Sequence, residues 1–163
     1  MNKEKTNVSS LSVGQNNAFA KFLYNYGYHL ALVPALVAMF GSLYFSEVKG
    51  FIPCNLCWYQ RILMYPLSII ILVGIVKQDE FLPNYVLPFS IIGIGVSTYH
   101  YMLQLGVLSN ATTCATGIPC SLRYINWATF ITIPFLALIA FVMITAIMGA
   151  TKWAYAQVEE VEI

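Results

Sequence analysis

Four cysteines, Cys54, Cys57, Cys114 and Cys120, are the residues of this 163-residue chain best suited to covalent chemistry. A Cys-x-x-Cys such as Cys54–Cys57 closes too small a loop to restrict an unfolded chain much, so a purely structural disulfide there gains little. Redox exchange suits it better. Cys57 begins a long apolar run; if that run is helical, the partial positive charge of the helix start favours a thiolate. Arg61 lies four residues on, hence on the same helix face and roughly 6 Å further along at 1.5 Å per residue, which adds a full positive charge near the sulfur. Pro53 and Pro119 each precede a cysteine and restrict the backbone there. The spacing suggests pairing of Cys54 with Cys57 and of Cys114 with Cys120. Other connectivities stay open, and exchange among them would itself be a redox device. A zinc site made from all four cysteines is disfavoured, because the second pair is Cys-x5-Cys rather than the usual two-to-four spacing and no histidine lies in the cysteine loops.

Two further polar groups interrupt apolar sequence, where such groups are costly and call for a reason. His100 and Gln104 are four residues apart and share a helix face. Counted from the ends of their segments, Arg61 and Gln104 lie about one turn inside and His100 about two. With Cys57 they are expected to line one pocket for an amphipathic ligand with a polar head. Taken singly, Arg61 also fits a side chain snorkelling to the headgroups, and His100 a hydrogen-bonded packing residue. A dithiol in a membrane needs a two-electron acceptor or donor, and the lipid phase offers quinones. Attack of a thiolate such as Cys57 on a quinone, with a cation beside the developing negative oxygen, is sound chemistry. His29 has no evident partner and no role is assigned to it.

The elements that must position these residues follow from composition. Hydrophobic residues make up 59% of the chain and charged residues 9%, against about 25% charged in ordinary soluble domains. A water-soluble fold is excluded, and a net charge of +1 removes the electrostatic case for nucleic-acid binding. Four apolar stretches, about 28–45, 58–76, 86–107 and 127–148, approach the roughly 20 residues a helix needs to cross a bilayer. They predict an all-α integral membrane protein, a four-transmembrane-helix bundle spanning 28–148 between tails 1–27 and 149–163, with no second domain and no internal repeat. Each span contains one proline, Pro34, Pro66, Pro88 or Pro134, expected as a kink. The first apolar run is longer than a signal-peptide core and lacks a clear cleavage site, so it is expected to be retained.

Four crossings place both termini on one side and both cysteine loops, about 46–57 and 108–126, on the other. Lys3, Lys5, Lys21, Lys77 and Lys152 on the terminal side, against Lys49, Arg61 and Arg123 opposite, favour cytoplasmic termini and extracytoplasmic cysteines. An exported face is oxidising, so two disulfides are the expected state there.

The run Pro53-Cys54-Asn55-Leu56-Cys57-Trp58-Tyr59-Gln60-Arg61, the later Tyr99-His100-Tyr101-Met102-Leu103-Gln104 and the four-span layout resemble the DsbB family of disulfide-bond-forming membrane oxidoreductases. The resemblance covers nearly all of the chain except its tails. It implies a quinone-coupled oxidase of the bacterial plasma membrane that re-oxidises an extracytoplasmic thioredoxin-fold thiol oxidase of the DsbA/BdbD type. By position, it implies that Cys54 and Cys57 are the quinone-proximal pair, that Cys57 engages the ring, that Arg61 polarises the quinone and that His100 lies near its head. It further implies that Cys114 and Cys120 meet the partner, with Cys114 forming the mixed disulfide. Only five residues separate Cys114 from Cys120, where proteobacterial members carry a much longer loop; the short form resembles the BdbC branch of Gram-positive bacteria and, by lineage, implies menaquinone over ubiquinone.

Two other readings compete. A structural four-span protein with two inert disulfides would lose stability, but no oxidase activity, when its cysteines are removed. A vitamin K epoxide reductase-like enzyme has its loop cysteines first and its Cys-x-x-Cys late, the reverse of the order here. Residue types do not set redox potentials, and a protein carrying electrons outward would use similar cysteines.

Overall fold

The computed structural model describes the backbone of residues 3–107 and 132–162 and the side chains of 18–107 and 132–157. Within these bounds every regular element is helical: α1 (Lys3–Leu43), running into a π-helical turn at Tyr44–Val48, α2 (Asn55–Lys77), α3 (Leu82–Gln104) and α4 (Ile133–Glu162). Four apolar spans are contained in them, Ala18–Val48, Asn55–Lys77, Leu82–Gln104 and Ile133–Gln157. The chain is a multi-pass membrane protein. Consecutive helices pack side by side and α4 closes the ring against α1; short connections join α1 to α2 and α2 to α3, as neighbours in a bundle allow.

The helix boundaries differ from the apolar stretches for local reasons. Helix α1 begins far upstream of residue 28, because no proline precedes Pro34 and nothing in residues 3–27 stops a helix propagating. Pro34, Pro66 and Pro88 lie inside helices, whereas Pro134 is the second residue of α4. There its missing N–H is one that no helix partner would have used, so Pro134 starts a helix rather than kinking one. Thr132 precedes it and its carbonyl accepts the first helical bond, from Leu136 N–H at 3.1 Å. The α2–α3 turn is tight. Gln78 adopts the left-handed conformation (φ 52°), Asp79 N–H returns to the Gly74 carbonyl at 3.0 Å, the Asp79 carboxylate accepts from Phe81 N–H at 2.9 Å, and Pro83 stands in the first turn of α3.

The core is the interior of the helix ring, with Leu67 and Ile71 of α2, Leu82 and Val86 of α3, Phe141, Ile144 and Met148 of α4, and Ala31 and Ala35 of α1 buried together. Lipid tails are as apolar as these side chains, so close packing rather than hydrophobicity holds the helices to one another. Gly93 is an example: a Cβ there would run into the ring of Phe141, which is fully buried. Hydroxyl and amide contacts stitch neighbours at depth, Thr145 Oγ1 to Ser90 Oγ at 2.9 Å between α4 and α3, and Gln60 Nε2 to Ser97 Oγ at 3.2 Å between α2 and α3. Outward faces are apolar instead: Val37, Ile69, Val76 and Ile91 are well exposed on the bundle surface, the inverse of a soluble helix and the expected dress of a lipid-facing one.

Candidate functional site

The site is built at the end of the bundle where α1 finishes, α2 and α4 begin and α3 finishes. Pro53 leads the backbone into α2 with Cys54 as its N-cap residue (φ −72°, ψ 170°), and the Cys54 carbonyl accepts from Trp58 N–H at 3.1 Å. Cys57 is then the third residue of the helix. N-cap and third positions face one another across the first turn, the relation that a capping box uses, so the Cys-x-x-Cys spacing at a helix start brings the two sulfurs to 2.9 Å. Cys54 is buried and Cys57 half-buried, and both stand as thiols. Behind Cys54 lies His100 of α3, 1% exposed, with its Nε2 3.6 Å from the Cys54 sulfur. The contact with the Cys57 thiol holds the Cys54 thiol well below its ordinary range, burial opposes this, and His100 adds to the lowering.

On the other side of Cys57 a cavity of about 540 Å³ opens between α1, α2 and α4. Cys57, Gln60, Arg61 and Met64 line it; they recur at the three- and four-residue spacing of one helix face. Most of the remaining wall is aliphatic or aromatic, with Phe45, Phe51, Ile52 and Pro53 near the cysteine end and Pro34, Ala137 and Phe141 further along. Arg61 does not snorkel freely. Its Nε donates to Ser42 Oγ at 2.8 Å, a terminal nitrogen donates to the Ser42 carbonyl at 2.9 Å, and the guanidinium stands 5.5 Å from the Trp58 ring centroid. The Ser42 carbonyl lies just before the π-helical turn, where Ser46 Oγ also approaches it at 3.3 Å. Such register changes occur often beside functional sites, and here one frames the arginine.

Of the residues singled out by sequence, Cys54, Cys57 and His100 come together at one point, and Arg61 joins Cys57 on the cavity wall. His100 and Gln104 are both buried on α3 but, among the described residues, do not line the cavity; His100 meets the dithiol from the far side. Cys114 and Cys120 lie outside the described residues. Sequence reasoning gave Ser42 and Gln60 no role of their own. Ser42 is 19 residues from Arg61 and carries no local signal, whereas Gln60 was detectable as an amide inside an apolar run, one turn beyond Cys57.

A dithiol with one buried and one half-buried sulfur and a neighbouring imidazole, at the end of a four-span bundle and beside a largely apolar cavity with one fixed cation, defines a class: membrane-embedded thiol–disulfide oxidoreductases. Comparison with known proteins narrows it. The family model "Disulfide bond formation protein DsbB" matches residues 25–151, and the chain belongs to that family of disulfide-forming membrane oxidoreductases. It is 56% identical over 121 residues to Disulfide bond formation protein C of Bacillus subtilis (strain 168), covering 74% of this chain and 88% of that one. It is 53% identical over 111 residues to Probable disulfide formation protein C of Halalkalibacterium halodurans, 68% of this chain and 81% of the relative. A more distant relative, Probable disulfide formation protein C 2 of Bacillus anthracis, is 37% identical over 123 residues, 74% and 88% of the two chains. No solved structure matches the chain significantly.

Proposed function

We propose that this protein is a quinone-dependent oxidase that regenerates an extracytoplasmic thioredoxin-fold thiol oxidase of the DsbA/BdbD type in the bacterial plasma membrane. Both termini are then cytoplasmic and the cysteine end faces outward. Electrons pass from the partner's dithiol to Cys114/Cys120, then to Cys54/Cys57, then to a membrane quinone, menaquinone or ubiquinone. The observation that carries this reading is the cavity that starts at Cys57 and continues along the lipid-depth faces of α1, α2 and α4. Its volume lies in the range that encloses small organic ligands, roughly 300–1,000 Å³, and its polar groups are concentrated near the reactive sulfur.

The residues divide the work. The partner's first thiolate opens the Cys114–Cys120 disulfide at Cys114, forming a mixed disulfide and freeing the Cys120 thiol; the partner's second thiol then displaces Cys114, so the partner leaves as a disulfide and Cys114 and Cys120 remain as a dithiol. The resulting Cys114/Cys120 dithiol reduces the Cys54–Cys57 disulfide by a second exchange, two electrons at each transfer. A quinone supplies the final two-electron acceptor. Cys57, the sulfur on the cavity wall, is the group that meets it. Arg61, held in place by Ser42, presents its charge to the ring oxygen where negative charge builds, the type of fixed stabilisation that costs no reorganisation at the moment of reaction. Cys54 closes on Cys57 to remake the disulfide, and two electrons and two protons leave with the quinol. His100, in contact with Cys54 rather than with the cavity, takes and returns the Cys54 proton, with Gln104 one turn beyond it on the same face of α3.

The test uses purified protein in detergent with a reduced thioredoxin-fold oxidase and a soluble quinone. Quinone reduction is expected, with loss of turnover in Cys57→Ser; mixed separately with the oxidised partner, Cys120→Ser is expected to hold it in a mixed disulfide through Cys114. Undiminished turnover in Cys57→Ser would contradict the proposal.

A further inference from the structure

Cys54, Cys57 and His100 bring one sulfur, a second sulfur and an imidazole nitrogen within 4.8 Å of one another, the first from the N-cap of α2, the second from its first turn and the third from α3. This differs from the four-cysteine arrangement that the loop spacing argues against, because it uses no residue of the second pair. A zinc ion holds thiolate sulfur at about 2.3 Å and imidazole nitrogen at about 2.0–2.1 Å in a tetrahedron. Those lengths require roughly 3.6 Å between a ligating sulfur and a ligating nitrogen and about 3.8 Å between two ligating sulfurs. The separation of Cys54 Sγ from His100 Nε2 is 3.6 Å, already the required value. The two sulfurs stand at 2.9 Å and must open by a little under an ångström, a change that rotation of the half-buried Cys57 side chain supplies without moving either helix. Of the three residues only Cys57 lines the cavity, so the cavity is the entry path.

We propose that the reduced form of this protein binds one soft, thiolate-seeking divalent cation of the zinc type through Cys54, Cys57 and His100, with the fourth coordination position toward the cavity. Binding releases the two thiol protons and changes no oxidation state. The Cys54–Cys57 disulfide offers no thiolate, so the oxidised protein does not bind. A bound cation occupies both sulfurs and keeps the pair reduced, which makes the metal a brake on whatever oxidant the cavity admits. The site stands on its own geometry, and its test reads binding alone, so its failure leaves the quinone reading untouched.

The experiment uses the full-length chain carrying Cys114→Ser and Cys120→Ser, purified in detergent, reduced and freed of reductant, and titrated with Zn2+ against a chromophoric chelator. One zinc per protein is expected, with two sulfurs and at least one imidazole nitrogen in the X-ray absorption spectrum, and none in the protein oxidised beforehand. His100→Ala is expected to weaken binding by more than about tenfold, since even changes to groups that only orient a ligand cost 10–100-fold. The absorption spectrum of the His100-containing protein decides the ligand set even where His100→Ala fails to fold. Absence of zinc from the reduced double variant, a shell of sulfur without nitrogen, equal binding by the oxidised protein, or unchanged affinity in a folded His100→Ala would each overturn the proposal.

Discussion

Arg61 is a cation kept inside an apolar helix, and its partners explain how. The Ser42 hydroxyl and carbonyl take two of its N–H groups and the Trp58 ring lies beside it, so the guanidinium is oriented as well as tolerated. If its purpose is to stabilise charge on a quinone oxygen, Arg61→Ala lowers quinone turnover by on the order of 10²-fold, the effect of losing one fixed donor at a developing oxyanion. Exchange between the two cysteine pairs, followed by trapping thiols during a single turnover, stays within a few-fold of wild type; equal loss of both steps refutes the role. Ser42→Ala removes one bond and leaves the carbonyl, so quinone turnover falls by less than in Arg61→Ala, in the same assay. The arginine and Cys57 were legible in the sequence because both lie on one chain segment at helical spacing. Ser42 was not, because a hydroxyl in a span satisfies itself on its own helix and nothing local shows that a guanidinium 19 residues away has claimed it. That His100 and Gln104 share one face of α3 was legible too, but not that His100 reaches the dithiol at Cys54, since that depends on how α3 is set against α2.

At the scale of elements, the start of α2 does most of the positioning. A proline, an extended N-cap cysteine and a cysteine three residues later are enough to bring two sulfurs together, and this follows from helix geometry alone. Elsewhere the helices are held by fit. Gly93→Ala pushes a methyl group into the Phe141 ring and is expected to destabilise the bundle by about 1–3 kcal/mol. Gly95→Ala, two residues on, meets nothing and is expected to be neutral or slightly stabilising, because alanine favours a helix over glycine. Thermal unfolding of the two variants in detergent separates them; equal melting temperatures contradict the packing described. The four helices themselves were readable from apolar length, whereas their ends were not. Apolar length marks where lipid lies, while the start of α1 and the place of Pro134 depend on helix propagation and on which N–H groups need partners.

For the whole molecule, the ring of four helices separates two environments: an end that carries the dithiol, and an end where Lys152 Nζ donates to Asn84 Oδ1 at 2.8 Å beside the α2–α3 turn. The excess of positive charge at the second end predicts that it is cytoplasmic. In cells, Lys152→Cys in a chain without the loop cysteines is expected to react with an impermeant thiol reagent only after the membrane is opened; reaction in intact cells reverses the orientation. The most direct test of the central claim isolates the dithiol and its cavity from everything upstream. Cys114→Ser/Cys120→Ser protein, fully reduced and mixed with excess soluble quinone, is predicted to form one quinol per protein in a single turnover as Cys54 and Cys57 close to a disulfide. A variant that stays reduced, forming no quinol, would contradict it.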